Sequence, residues 1–213
     1  MKKIIILAMS LIMSLSGTLG GSLFAQQDDV IRQAVEGYKS LTTVKADVKK
    51  TVHNTMVAKD VTSNGTFYFK KPAQMCIVTN GGKEKLLTDG EHFTIVQNGK
   101  VSAMAGKGNN ALAPLIQAVK SITQGNTDTD LSDVADVDME REGDLMIMTI
   151  APITRSAAEK RKLMFQSFII TVDTKSGDLK SIRLNEKGQN YQQYDFSNFK
   201  KEVKIDDSVF KEK

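Results

Sequence analysis

The residues able to do chemistry are few and scattered. His53 and His92 are the only histidines in the 213-residue chain. Asp89 stands three positions before His92, but the turn signal DG lies between them. Cys76 is the sole cysteine, so no internal disulfide is available, and its setting in the run MCIV suits a small buried hydrophobe better than a reactive thiol. No HExxH, CxxC, GxSxG or Gly-rich phosphate loop occurs. Carboxylates and serines are plentiful but not at motif spacing, and a metal site would need ligands gathered from unrelated strands. No catalytic residues, metal or cofactor are therefore expected. What remains is the chemistry of burying apolar surface.

The apolar runs carry that chemistry. MCIV, LMIMTI and MFQSFII have apolar side chains on both faces. An antiparallel strand with one wet face should alternate cleanly. Each face of these strands is thus expected to meet a helix, a cavity or a ligand. Met75, Met146, Met148 and Met164 gather here, and methionine adapts to irregular shapes. Simple filling of a core would use them equally well. In GTFYFKKPAQMCIV, residues 65–78, Phe67 and Phe69 share one face, while Thr66, Tyr68 and Lys70 share the other. Lys71 falls on the phenylalanine side. It precedes Pro72, which favours extended backbone at the preceding residue. By this parity Lys71 continues the strand with its cation on the apolar face.

Those residues need elements to hold them. Lys2 and Lys3 precede an apolar run from Ile4 to Leu15, about 12 residues against the roughly 20 that span a bilayer. This reads as a secretory signal peptide over residues 1–25, cleaved near Ala25, with no cysteine following that would make the chain itself a lipoprotein. Loss of Lys2 and Lys3 takes the formal charge from +4 to +2, and no dense basic run follows beyond EKRK at 159–162, so nucleic acid is not an expected partner. Residues 26–213 suit one domain.

Asp28 or Asp29 can cap a helix whose stripe is Val30, Ile31, Ala34, Val35, Tyr38 and Leu41. The period then changes, and Val44, Ala46, Val48 and Val52 alternate with Lys45, Asp47 and Lys49. Short strands follow, broken by Pro72, NGG, DG and NG. Leu112, Leu115, Ile116, Val119 and Ile122 make a second helical stripe, with Pro114 near its start and Gly125 at its end. Four or five more strands lead to a tail anchored by Val209 and Phe210. The order is helix, about six strands, helical insert, four or five strands. It predicts an α+β fold in which a large antiparallel sheet curls strongly and helices bury their stripes on its concave face.

GTFYFKKP followed by EKLLTDGEHFTIVQNG resembles the outer-membrane lipoprotein carrier family, the LolA-like proteins. The resemblance continues in order through VIRQAVEGYKSLTTVKADVKKTV, ALAPLIQAVKSI and FIITVDTKSGDLKSIRLNEKGQNYQQYDFSNFK. It implies an unclosed β-barrel with a helical lid, a monomer in the periplasm. Such a protein carries acylated lipoproteins from an inner-membrane lipoprotein-releasing ABC transporter to an outer-membrane acceptor, without covalent chemistry. The acyl-chain cavity is expected to be lined by Phe67, Phe69, Met75, Ile77, Leu87, Phe93, Ile95, Ile147, Phe168 and Ile170. Leu112, Leu115, Ile116 and Val119 would form the lid helix, flanked by glycines 106, 108 and 125. Lys71 stands where the family usually has an arginine that bonds the lid, and is the expected latch, though lysine lacks the planar fork. Thr94 replaces a frequent tryptophan, and the C-terminal tail is reduced to VFKEK. The alternatives are a carrier of another acylated molecule or glycolipid, or a lipid- or lipoprotein-sensing regulatory module.

Overall fold

A computed structural model describes residues 41–89, 92–105 and 135–212. The expected signal peptide, the helix from Asp28 or Asp29 and the lid helix over Leu112 to Val119 lie outside these residues.

The described chain is one eleven-stranded antiparallel sheet. Its first half comprises β1 (Thr43–His53), β2 (Val61–Lys70), β3 (Gln74–Thr79), β4 (Glu84–Thr88), β5 (Phe93–Gln97) and β6 (Lys100–Ala105). The second half comprises β7 (Ala135–Glu142), β8 (Leu145–Pro152), β9 (Phe165–Asp173), β10 (Leu179–Glu186) and β11 (Tyr191–Lys201). A short helix α1 (Ala157–Lys162) joins β8 to β9, capped by the Ser156 side chain on the Glu159 N–H.

The spatial order is β6-β5-β4-β3-β2-β1-β11-β10-β9-β8-β7. Each half is a meander, and the two meanders join where β1 pairs with β11. β6 and β7 are the two edges, so the sheet is strongly curved but unclosed. The six-plus-five division matches the sequence reading. The helical lid is not seen among the described residues, where α1 is the one α-helix.

Local chemistry fixes the register. At Asn98-Gly99 both residues have positive φ, 52° and 74°, as a two-residue hairpin turn requires, and Gln97 pairs with Lys100 across it. Gly65 serves differently. It pairs with Val48 on one side and Thr79 on the other, and a Cβ built there would lie 1.9 Å from the Val78 carbonyl oxygen. A side chain at this position has no room, so glycine lets the sheet bend hard between β1 and β3.

One correction concerns Lys71. β2 ends at Lys70, and the Lys71–Pro72 peptide is cis. The Lys71 N–H donates to the Thr42 carbonyl at 2.9 Å, in a turn rather than in the ladder with β3. The strand parity that placed its side chain beside Phe67 and Phe69 therefore stops one residue short.

Candidate functional site

Strand parity builds a single apolar surface on the concave side. Val44, Ala46 and Val48 of β1 meet Phe67 and Phe69 of β2, Met75 and Ile77 of β3, and Phe93 of β5 in one buried cluster. The same cluster runs on through Phe196 of β11, Ile182 and Leu184 of β10, Phe168 and Ile170 of β9, and Met146, Met148 and Ile150 of β8. Phe67 and Phe196 pack edge to face at 5.1 Å across the β1–β11 junction.

Eight of the ten expected cavity residues share this face. Phe67, Phe69, Met75, Ile77, Phe93, Phe168 and Ile170 are buried in the cluster, and Ile95 is half-buried against it. Leu87 and Ile147 do not. Leu86 is the inward residue of β4, so Leu87 points to the convex side, where it packs with Cys76 and Val96. Met146 and Met148 are inward on β8, which turns Ile147 outward. Both strands are apolar on two faces, so hydrophobicity alone could not choose the parity.

The convex apolar patch has its own cover. Val209 and Phe210, in a 3-10 turn over Asp207–Phe210, pack onto Cys76, Leu87 and Val96. Lys70 on the outer face bonds Asp207, and the Lys85 ammonium reaches the Lys211 carbonyl at 3.3 Å. The C-terminal anchors inferred from the sequence are thus real, and they explain why β3 and β4 are apolar on both sides. Burial pushes the Cys76 thiol up to about 12, against a weaker opposing pull from Lys85, which makes it a poor nucleophile.

The histidines do not converge. His53 Nδ1 lies 2.7 Å from Asp60 Oδ1, and its ring stacks on Tyr191 at 4.8 Å. Arg183 covers the other part of that stack, 3.6 Å from the Tyr191 ring centre. His92 Nδ1 lies 2.9 Å from Asp89 Oδ2, and both side chains are exposed. Among the described residues no three His, Cys, Asp or Glu side chains gather as metal ligands.

Lys71 sits at the end of the sheet where Thr43 faces Lys70. Beside it, Glu202 accepts from the Thr42 N–H at 2.7 Å and from the Thr42 hydroxyl. Those bonds, with a smaller pull from the Lys71 charge, hold the Glu202 carboxyl below its ordinary range. The lid that Lys71 was expected to latch lies outside the described residues.

At the opposite end, polar groups occupy the concave face. Lys50 is an inward residue of β1, and its ammonium lies 2.6 Å from Glu84 Oε2 with only 8% of its side chain exposed. Thr79 and Asn80 each donate to the same carboxylate at 3.3 Å. Burial would raise the Glu84 pKa, but the bond and charge of Lys50, helped by Asn80 and Thr79, hold it below the ordinary value. The Lys50 ammonium is 5.6 Å from the Tyr194 ring centre, and the Tyr194 hydroxyl donates to Gln192 Oε1 at 3.3 Å. Beside these groups lies a cavity of about 270 Å³, lined also by Ile77, Leu86, Ile95, Met164, Phe165 and Leu184. The sequence reading missed this pole. The signal was available, since Lys50 falls on the parity of Val44, Ala46 and Val48.

This arrangement is an unclosed sheet with one continuous apolar concavity, and residues 39–213 match the profile of the family described as outer membrane lipoprotein carrier protein LolA. The chain belongs to the LolA family. No curated protein matches it. Solved structures with similar folds include a domain from Vibrio parahaemolyticus provisionally assigned to outer membrane lipoprotein sorting. It is 5% identical, with 87% of this chain and 97% of that one covered, at a TM-score of 0.47. A LolA superfamily protein from Nitrosomonas europaea is 10% identical, with 86% and 96% covered, at 0.40. The lipoprotein LppX of Mycobacterium tuberculosis is 14% identical, with 85% and 99% covered, at 0.34. All three are too remote to say anything about cargo. Membership of the LolA family rests on the profile match alone.

Proposed function

We propose that this LolA-family chain is an exported, non-enzymatic carrier that shelters the acyl chains of lipoproteins in its concavity. In this reading residues 1–25 direct export and are removed near Ala25. The protein then works in the periplasm as a monomer. It takes lipoproteins from an inner-membrane ABC transporter and passes them towards the outer membrane.

The observation that supports the reading best is the unbroken apolar face from Phe93 on β5 to Met148 on β8, on the concave side of a sheet whose edges do not meet. Acyl carbon gains about 0.8 kcal/mol per CH₂ on burial, so one long chain represents on the order of 10 kcal/mol. An acylated protein cannot cross water with that surface bare. A carrier must also release it, and buried Met75, Met146 and Met148 give a face that can repack around different chains.

The test is transfer of a triacylated lipoprotein from inner-membrane vesicles through the soluble protein to acceptor membranes. The reading expects transfer that depends on the protein and saturates with it. Transfer of a glycolipid but no lipoprotein would assign the same face to another cargo. Lys71, at the rim of the sheet, is the candidate control on release. Lys71→Leu should speed transfer and Lys71→Arg slow it, with melting temperatures unchanged. Equal rates in both variants would make it a surface lysine.

A further inference from the structure

We infer that the Lys50–Glu84 pole binds the carbonyl of the ester or amide that links an acyl chain to its carrier molecule, so that the cavity takes acyl groups by tail and carbonyl together. The inference rests on the acyl-carrier reading and deepens it.

An ion pair on an apolar face is a feature to explain. Replacing such a pair by well-packed apolar residues is often neutral or stabilising, so folding alone does not explain why a charged pair rather than hydrocarbon stands here. The Lys50 ammonium has three donors. Among the described residues Glu84 takes one, at 2.6 Å, and the remaining contact of the ammonium is with the face of Tyr194. The described residues thus leave two donors at the wall of the 270 Å³ cavity, whose other walls include Ile77, Leu86 and Leu184. The site thus offers hydrogen-bond donors at one side and hydrocarbon at the other. A ligand that fits both has an acceptor at the end of an apolar chain.

The charges select which acceptor. Around the pole the Lys50 ammonium lies among two carboxylates, Glu84 and Glu186; Glu186 accepts from Gln192 Nε2 at 2.7 Å, and Gln192 in turn accepts from Tyr194. The field of both carboxylates reaches Tyr194, which burial first and their charge second hold protonated well above the ordinary range. Lys85 also lines the cavity, but its ammonium is turned to the Lys211 carbonyl at 3.3 Å. A second anion would have to displace Glu84 or sit against it. A neutral carbonyl takes the spare donors and leaves the pair intact. A hydrogen bond to a charged donor is stronger than a neutral one, which makes it selective for carbonyl over weaker acceptors.

The experiment compares three probes of matched tail on the purified protein stripped of endogenous lipid: methyl palmitate, hexadecyl methyl ether and palmitate, each displacing a fluorescent acyl probe. The wild type should prefer ester over ether by about tenfold or more. Lys50→Met, and the charge-neutral pair Lys50→Met with Glu84→Gln, should bring that ratio to about one while ether affinity holds within about twofold. The infrared band of a ¹³C-labelled ester carbonyl should lie lower on the wild type than in hydrocarbon solvent, and return in the double variant. Equal ester and ether affinity in the wild type overturns the carbonyl assignment alone. So does an ester preference that survives both substitutions, or palmitate binding more tightly than the ester. If none of the probes binds, the acyl-carrier reading falls with it.

Discussion

Ile95 and Phe69 point into the same concavity but bear different loads. Phe69 is about 1% exposed at the centre of the cluster, whereas Ile95 is half-buried and lines the cavity. A carboxylate at Phe69 would be buried without a partner, so Phe69→Asp should cost about 4 kcal/mol or more of stability in denaturant unfolding. Ile95→Asp meets space that water can enter. It should lower acyl-probe affinity at least about tenfold while shifting stability by no more than about 2 kcal/mol. If Ile95→Asp unfolds the protein as Phe69→Asp does, the cavity is ordinary core.

Glu84 adds a pH dependence with a definite sign. Its folded pKa is lowered below 4.5, so its contribution to stability is complete above that value and is lost as pH falls through the folded pKa. Between about pH 6 and about pH 3 the melting temperature of the wild type should fall more steeply than that of Glu84→Gln. Parallel curves would show that the Lys50–Glu84 pair adds nothing to folding. Parity made much of this scale legible: Phe67, Phe69, Met75, Ile77 and Phe93 fell where alternation put them. It failed where a strand is apolar on both faces, at Leu87 and Ile147. Lys50 was passed over because a lysine in a strand is usually solvated, although its position in the alternation was inward.

At the scale of elements, turns were the clearest signal. Asn98-Gly99 dictates a hairpin through its own backbone, and the β5–β6 register follows. Lys71 shows the limit. A residue before proline is driven to extended backbone, but extended backbone is not the same as a continued ladder, and β2 stops at Lys70. Gly65 has no room for a side chain. In Gly65→Ala the new methyl would lie 1.9 Å from the Val78 oxygen and 2.8 Å from Thr79 Cγ2, and the first of these is backbone that must shift. The expected loss is about 3 kcal/mol or more, read from the denaturation midpoint. A variant as stable as wild type would mean that the close β2–β3 approach is not what curves the sheet. The C-terminal turn also acts here, since Val209 and Phe210 cover a patch that β3 and β4 would otherwise expose.

At the scale of the molecule, two opposed ends of one curved sheet carry different chemistry. Lys71 and Glu202 mark one end, Lys50 and Glu84 the other, with hydrocarbon between. The large, curved antiparallel sheet was legible in the strand pattern, whereas its being unclosed came only from the resemblance to the LolA-like family, because alternation does not say whether the edges β6 and β7 pair. What fills the concavity was not legible from alternation, since a core and a cavity have the same apolar pattern. The central claim is that acyl chains fill it. Native mass spectrometry of the protein purified without detergent from its own cells, beside Ile95→Asp, tests this most directly. The account predicts a wild-type population carrying an acylated lipoprotein or its lipid, released by detergent and depleted in the variant. The bare protein mass in both, from cells making abundant lipoprotein, would contradict it.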